Sequence, residues 1–484
     1  MSNENRQAVS SGLKIIALSK LSTQIITWGM TFFVLRILDP SDYGLVAISA
    51  AITMLFGLIA EFGLSAAIIQ AKSTNRQQLA SLFGYGIVLN ICIVAVLQCI
   101  APLVVNIYAD ARLEAVIRVA SLQFLLTSLC MLPDAKMQRE MNFRFIAKLE
   151  FTLGVFTGVC TLILAYSGYG YWSLVISPLF SMLLRTVLLN LVAQQWVRPR
   201  LSIGQTRGLL VFGSLTLMTR FLGHLLSQTD VLIAGLFLTK EALGMYAVAM
   251  QLATMPLSKI MSVINQVAFP ELSRMNREEG VRGEVLMHGG RMVLYLLFPV
   301  LWGLAAVAPF VVHILMGDKW EDAILPLQLV CIALPLRAIS GLCSTALSAV
   351  GRVDIVLWNV VIGFGIFPVI FYYGAQYGVV GVAWAWVIST PLFVIITLMQ
   401  ASPVLGLAMR QVLRSLISPA LSAGAMYLLI YLSLWLNIFQ TDRVDHFVYA
   451  TGLGALFYGI LLRYNDPKIF QQFFDLLKHR QPLL

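Results

Sequence analysis

Charged residues are scarce in this chain of 484 residues. They make up 12% of the sequence, about half of the ~25% found in soluble globular proteins. So few charges cannot cover the surface of a water-soluble particle of this size, which excludes a soluble fold. Hydrophobic residues make up 59%, and they occur in stretches long enough to cross the ~30 Å hydrocarbon core of a bilayer. We therefore predict an all-α integral membrane protein with about fourteen transmembrane helices.

Patterns for metal binding or nucleophilic chemistry are also missing. The six cysteines lie inside apolar stretches without metal-ligand spacing, and the five histidines form no cluster. No long polar segment interleaves aromatic and basic residues, so nucleic acid is not an expected partner. The outer loops are too short for a soluble catalytic domain, which argues against a membrane-bound polymerase or glycosyltransferase. We expect no catalytic residue, cofactor or metal, and predict that the protein is not an enzyme.

The net charge of +10 comes from basic residues that lie mainly on one side of the predicted helices. The opposite side carries Arg112, Arg118, Lys240, Lys319 and Arg443. Because basic loops stay in the cytoplasm, we predict that both termini are cytoplasmic. The first apolar stretch is long enough to span and has no cleavage-site pattern, so we expect a retained first helix and not a signal peptide.

The two halves of the sequence resemble each other in three places that follow the same order. Residues 42–47 (DYGLVA) match 242–247 (ALGMYA), 101–107 (APLVVNI) match 308–314 (APFVVHI), and 176–180 (ISPLF) match 388–393 (ISTPLF). An even number of helices in each half makes such a repeat parallel, and transporters of this kind bind substrate between the halves. Two similar bundles without a transport role are the alternative.

The repeat predicts a 6+6 arrangement followed by two further helices. The expected parts are an N-terminal lobe (1–195), a cytoplasmic linker (196–208), a C-terminal lobe (209–403), two extra helices (404–464) and a cytoplasmic tail (465–484). In the tail, residues 469–477 place apolar side chains on one helical face beside basic residues. That pattern favours a helix lying on the inner leaflet, with a disordered basic tail as the alternative.

Polar and charged residues recur inside the first and seventh apolar stretches. The offset between the repeats takes Lys20 to Arg220, and helical spacing places a polar stripe beside each cation. The stripe residues are Gln24 and Thr27 in the first stretch, and His224 and Ser227 in the seventh. Two matching stripes indicate facing walls of a water-filled cavity, whereas hydrogen bonding between packed helices is the alternative.

Further ionisable residues lie at membrane depth, where an unpaired charge is costly. The cations are Lys259, Arg337 and Arg185, and the acids are Glu61 and Asp230. The balance is cationic, which suits an anionic substrate, since Arg can hold phosphate oxygens in a bidentate manner. Glu61 and Asp230 are candidate charge partners or coupling groups.

Several motifs resemble the polysaccharide transporter family, the Wzx-type flippases of the multidrug/oligosaccharidyl-lipid/polysaccharide (MOP) exporter superfamily. They are residues 36–47 (RILDPSDYGLVA), 61–64 (EFGL), 137–144 (MQREMNFR), 317–320 (GDKW) and 325–329 (LPLQL). Exporters of acidic exopolysaccharides such as colanic acid are the most similar group. The resemblance implies a MATE-like two-lobe fold in the bacterial inner membrane.

The resemblance also implies a function: translocation of an undecaprenyl-pyrophosphate-linked oligosaccharide repeat unit by alternating access, for exopolysaccharide or O-antigen biosynthesis. The implied partners are that substrate, membrane lipids and the polysaccharide polymerase machinery. A MATE-type drug antiporter and a lipid II flippase are the alternatives within transport. An antiporter of organic cations should have more acidic than basic residues in its lumen, whereas the residues at membrane depth in this chain are mainly basic. A non-transporting scaffold for envelope assembly is the remaining alternative, which a reconstituted flipping assay would exclude.

Overall fold

The computed structural model describes residues 24, 26–61, 76–140, 143–193, 197–201, 221–278, 283–407, 409–436 and 443–477. These residues are almost entirely helical and contain no β-strand. The chain divides into two compact units, Met1–Gly244 and Met245–Leu484. This division falls after Gly244, inside a helix, and does not coincide with the predicted lobe boundaries at 195 and 209. Those boundaries stay predictions.

The N-terminal unit contains a series of helices within the described residues. They are α1 (Ile26–Ile37), α2 (Pro40–Glu61), α3 (Arg76–Tyr108), α4 (Arg112–Ser121), α5 (Gln123–Arg139), α6 (Phe143–Tyr166), α7 (Trp172–Ala193), α8 (Thr229–Phe237) and the start of α9 (Lys240–Glu278). A further helical stretch, 221–227, precedes α8 and is separated from it by a turn at Gln228.

The C-terminal unit contains the rest of α9 and seven further α-helices within the described residues. They are α10 (Gly283–Val311), α11 (Ile324–Ala349), α12 (Val353–Ala375), α13 (Gly378–Leu405), α14 (Met409–Trp435), α15 (Arg443–Asn465) and α16 (Pro467–Leu477). A π-helical turn, Val312–Met316, extends α10, and a 3-10 helix, Asp318–Ala323, leads into α11.

Eleven helical stretches in the described residues are long and apolar enough to cross a membrane. Helices α1, α8 and α9 overlap the first, seventh and eighth spans that the apolar stretches predict, near 13–38, 209–238 and 243–268. The helix pattern therefore confirms the prediction of an all-α membrane protein with about fourteen spans. The tail prediction of a helix is confirmed for Pro467–Leu477, so the disordered alternative is wrong for those residues.

Some predicted boundaries are wrong for identifiable reasons. The apolar pattern predicts a second helix that starts at 44, after a short loop, but α2 begins at Pro40, because Pro suits the first helical position. The apolar pattern also predicts one helix over 115–133, but the structure has two helices there, which meet at Leu122. Helix α9 continues to Glu278, ten residues beyond the predicted end at 268, because the prediction followed apolar length and the helix runs on into the polar segment that follows.

Helices α2 and α9 begin at repeat-related residues, Pro40 and Lys240, and both starts are capped. The backbone N–H of Asp39 donates to Asp42 Oδ2 at 3.3 Å, the return bond of a capping box. The backbone N–H of Ala242 donates to the Thr239 hydroxyl at 3.2 Å. Each cap satisfies an N–H group that the helix leaves unpaired, so the two halves start these helices at matching positions.

The two C-terminal helices pack into the core of their unit. Tyr295 on α10 contacts the Ser418 hydroxyl of α14 at 2.7 Å, and Tyr458 of α15 donates its hydroxyl to the Tyr295 carbonyl at 2.8 Å. Buried apolar residues of α10, α11, α13, α14, α15 and α16 belong to one continuous cluster. The pair α14 and α15 is therefore an integral part of the C-terminal unit.

Candidate functional site

Part of the predicted site lies outside the described residues. Lys20 and Arg220 fall there, and so does the Glu61 side chain, although Glu61 is the last residue of α2. The other predicted site residues lie in the described part of the chain.

Arg337 on α11 lies against an aromatic face inside the C-terminal unit. Its guanidinium carbon is 4.9 Å from the ring centroid of Trp386 on α13. The indole N–H of Trp386 donates to the Tyr246 hydroxyl at 2.7 Å, and Tyr246 is completely buried. A cation–π contact of this kind contributes about 2 kcal/mol when desolvated. The contact holds the cation on an aromatic face within the membrane-spanning region.

Buried hydroxyl groups lie on the same helix faces as Arg337 and Trp386. Ser340 follows Arg337 by one helical turn, and Ser389 follows Trp386 by one turn. Ser340, Ser389 and Thr390 are each less than one-tenth exposed, and in the described part of the chain their hydroxyls have no hydrogen-bond partner. Buried polar groups without partners cost about 1–3 kcal/mol each. Three such groups on the helix faces that carry Arg337 and Trp386 indicate a polar site. The sequence did not predict the part that Trp386 plays in it, because aromatic residues are common inside apolar runs.

Arg185 on α7 is held by two carboxylates. Its Nη2 lies 3.0 Å from Asp134 Oδ1 on α5, and its Nη1 lies 2.6 Å from Glu150 Oε1 on α6. Arg185 thus links three helices of the N-terminal unit and has its charge balanced by protein. Because the two carboxylates balance the Arg185 charge, no anionic substrate is needed to explain a cation within the membrane-spanning region. Neither acid was predicted from the sequence, because both lie near helix ends, where acids usually face water.

The polar stripes of the first and seventh spans use their hydroxyls locally. Thr27 donates to the Gln24 carbonyl at 3.1 Å, and Ser227 donates to the His224 carbonyl at 2.7 Å. Such bonds within one helix are a common way for Ser and Thr to be satisfied in helices. Asp230, at the start of α8, is buried with 2% of its surface exposed.

Helix α9, which carries the predicted cation Lys259, has polar residues on an accessible face. Gln251, Ser258 and Lys259 are exposed. Thr254 and Ser258 donate their hydroxyls to carbonyls of their own helix, at 2.7 Å and 3.0 Å. Lys259 therefore presents its ammonium group on an accessible polar surface.

Comparison with known proteins places the chain in a family. A family model for "Polysaccharide biosynthesis protein" matches residues 33–325, more than half of the chain. The chain belongs to this family, and is a multi-pass membrane protein. It is 27% identical over 394 residues to the lipopolysaccharide biosynthesis protein WzxC of Escherichia coli (strain K12), covering 79% of each chain. It is 23% identical to the succinoglycan biosynthesis transport protein ExoT of Rhizobium meliloti (strain 1021), covering 99% of this chain and 97% of ExoT.

Solved structures share the fold. The lipid II flippase MurJ, in an inward closed conformation, matches with a TM-score of 0.73 at 15% identity, covering 96% of this chain and 100% of MurJ. An inward-facing multidrug resistance MATE family transporter of the MOP superfamily matches with a TM-score of 0.64 at 13% identity, covering 81% and 98%. These matches confirm the predicted MATE-like fold.

Proposed function

We propose that this protein is a flippase that moves polyprenyl-pyrophosphate-linked oligosaccharide repeat units from the inner to the outer leaflet of the bacterial inner membrane. The observation that carries the proposal is the Arg337–Trp386 site: a cation on an aromatic face, with buried hydroxyls one turn away on the same two helices, in a membrane protein of the polysaccharide biosynthesis family. Pyrophosphate and acidic sugars are anions, and an Arg fork is suited to both. Two similar proteins support this proposal by their names: ExoT is a biosynthesis transport protein, and MurJ is a lipid II flippase.

In this proposal Lys20, Arg220, Lys259 and Arg337 bind the pyrophosphate and acidic sugars. Gln24, Thr27, His224 and Ser227 provide the polar lining, and Glu61 and Asp230 balance or couple the charge. Arg185 is assigned to the ion triad with Asp134 and Glu150 and not to the substrate. The protein performs transport and not catalysis, and both termini lie in the cytoplasm.

Reconstitution tests the proposal directly. Purified protein in liposomes receives a fluorescent undecaprenyl-pyrophosphate oligosaccharide, with and without a proton or sodium gradient. Arg337→Ala should slow flipping at least tenfold, and Arg337→Lys should recover only part of it, because the ammonium keeps the charge but loses the planar fork. Arg352→Ala is the matched control, since Arg352 is exposed and pairs with Asp354 at 2.9 Å in a turn.

Two results would contradict the proposal. Normal flipping by well-folded Arg337→Ala and Arg220→Ala proteins would show that the cations do not bind substrate. Export of an organic cation instead of the lipid-linked oligosaccharide would favour the drug antiporter, and preference for lipid II would favour the lipid II flippase.

A further inference from the structure

A short basic segment, residues 197–201, folds back onto helix α3 after the end of α7. Val197 packs against the buried cluster of Leu82, Met131, Leu132 and Ala135. The backbone N–H of Arg200 donates to the Ala80 carbonyl at 3.0 Å. The close approach requires Gly84, because a Cβ there would lie 2.9 Å from the Arg200 carbonyl carbon. The segment therefore holds Arg198 and Arg200 in a fixed place beside α3.

This segment forms one edge of a groove bounded by α3, α5 and α7. The groove has a volume of about 1230 Å³, above the ~300–1,000 Å³ typical of small-ligand pockets. Its wall is mainly apolar, and includes Phe83, Ile87, Leu129, Val187 and Leu191. The size and the apolar wall suit a long hydrocarbon chain better than a small polar solute.

The edge of the groove is cationic. Arg198 and Arg200 both line it, and both are exposed. Within the described residues neither guanidinium forms a salt bridge, in contrast to Arg185 of the same unit, which has two carboxylate partners. Asn190 and Gln77 add amide groups to the lining. Two guanidinium groups two residues apart match a ligand that carries two linked phosphates.

We infer that this groove is a docking site for the polyprenyl pyrophosphate end of the lipid-linked substrate, separate from the Arg337 site. The isoprenoid chain lies along the apolar wall, and the pyrophosphate contacts Arg198 and Arg200. The inference rests on the proposed function. It adds a second binding site for the carrier lipid, apart from the cations that are proposed to bind the substrate during transport. By the charge distribution the groove edge faces the cytoplasm, the side on which the substrate is made.

Lipid binding to the full-length protein in detergent tests the inference by native mass spectrometry. The probes are undecaprenyl pyrophosphate, undecaprenyl phosphate and phosphatidylglycerol. The Arg198→Ala/Arg200→Ala variant should weaken undecaprenyl pyrophosphate binding at least tenfold, and the corresponding Lys pair should recover part of it. Arg410→Ala/Arg414→Ala is the matched control, since these arginines are exposed on α14.

A second variant blocks the groove without changing charge. Leu191→Trp should also weaken binding, because Leu191 lines the groove and is 66% exposed, so the larger ring fits without disturbing a core. Leu421→Trp, at a residue 68% exposed on α14, should leave binding unchanged. Equal binding of phosphatidylglycerol and undecaprenyl pyrophosphate would overturn the inference in favour of a general anionic-lipid site.

Transport measured on the same preparations separates this inference from the proposed function. If the wild type flips substrate and the Arg198→Ala/Arg200→Ala variant binds and flips as the wild type does, the docking site is wrong and the flippase stands. If undecaprenyl pyrophosphate binding depends on both arginines but the wild type does not flip, the docking site stands and the proposed function is wrong.

Discussion

Gly44 and Gly244 lie face to face at the starts of helices α2 and α9. A Cβ added to either glycine would lie 2.9 Å from the backbone nitrogen of the other. A Cβ on Gly44 would also overlap the Lys240 carbonyl, and one on Gly244 would overlap the Pro40 carbonyl. These four residues are related in pairs by the sequence repeat, so the contact has the symmetry that the duplication predicts. Only glycine allows the two backbones to approach this closely.

Replacing either glycine should destabilise the protein. Gly44→Ala and Gly244→Ala each place a methyl group against backbone, which cannot move aside as a side chain can, and such overpacking costs about 1–3 kcal/mol. We expect a lower apparent Tm of the purified protein. Gly459→Ala in α15 is the control, because no atom lies within 4 Å of its Cβ position and Ala favours helix. An unchanged Tm in both Gly44→Ala and Gly244→Ala would contradict this prediction.

The ion triad of Arg185 should be structural. Arg185→Gln leaves Asp134 and Glu150 close together without their cation, and should lower the Tm and the amount of folded protein. Neutralising the acids as well, in Arg185→Gln/Asp134→Asn/Glu150→Gln, should recover much of the loss, since neutral side chains need no counter-charge. Flipping per folded molecule should then be near the wild-type rate. If the Tm of the triple variant recovers but flipping is still absent, Arg185 binds the substrate and is not only structural.

The C-terminal helix α16 should contribute to stability through its first turn. Asp466 pairs with Arg291 of α10 at 2.9 Å, and Ile469 is 1% exposed within the core cluster of its unit. Ile469→Ala should cost about 2–5 kcal/mol, the usual range for such a buried truncation, and Lys468→Ala on the exposed side should cost almost nothing.

Truncations provide a second test of α16. Deletion of 478–484 should leave the Tm unchanged, whereas deletion of 467–484 should lower it while the remaining folded protein still flips substrate. A 467–484 deletion with wild-type stability would show that the packing of Ile469 is unimportant.

The orientation is testable by reporter fusions. A fusion after Leu201 or after Leu484 should report the cytoplasm, and a fusion after Ala109, in the turn between α3 and α4, should report the opposite side. A periplasmic signal after Leu201 would require an odd number of spans before it and would contradict the arrangement of the first six helices.

Length and hydropathy were enough to predict the spanning helices, because a bilayer imposes a minimum apolar length on each one. The repeat also predicted that Gly44 and Gly244 are equivalent residues. It could not predict that they touch, since contacts between distant segments leave no periodic signal. The partners of Arg185 were missed for a similar reason: Asp134 and Glu150 lie near helix ends, where acids usually face water. Arg337 was identified by its depth, but Trp386 resembled any other aromatic residue of an apolar run.

The support that Trp386 gives to Arg337 leads to a prediction about affinity. Trp386→Ala removes the aromatic face 4.9 Å from the guanidinium. Loss of ~0.5–2 kcal/mol of cation–π energy should raise the Kd for the lipid-linked oligosaccharide by roughly two- to thirtyfold. Trp386→Phe should keep part of the affinity, because a weaker aromatic face remains. Trp384→Ala, at a residue 48% exposed on the same helix, is the control and should bind as the wild type does.

Variants of Tyr246 test whether Trp386 affects substrate affinity through Arg337 or only through the stability of the fold. Tyr246→Phe keeps the ring but leaves the buried indole N–H of Trp386 without its acceptor, at a cost of about 1–3 kcal/mol. The Tm should fall, and affinity should fall less than in Trp386→Ala, since the aromatic face remains beside Arg337. In an Arg337→Ala background, Trp386→Ala should have no further effect on affinity, because its partner is already gone. Additive losses in that double variant would show that Trp386 acts on the substrate independently of Arg337.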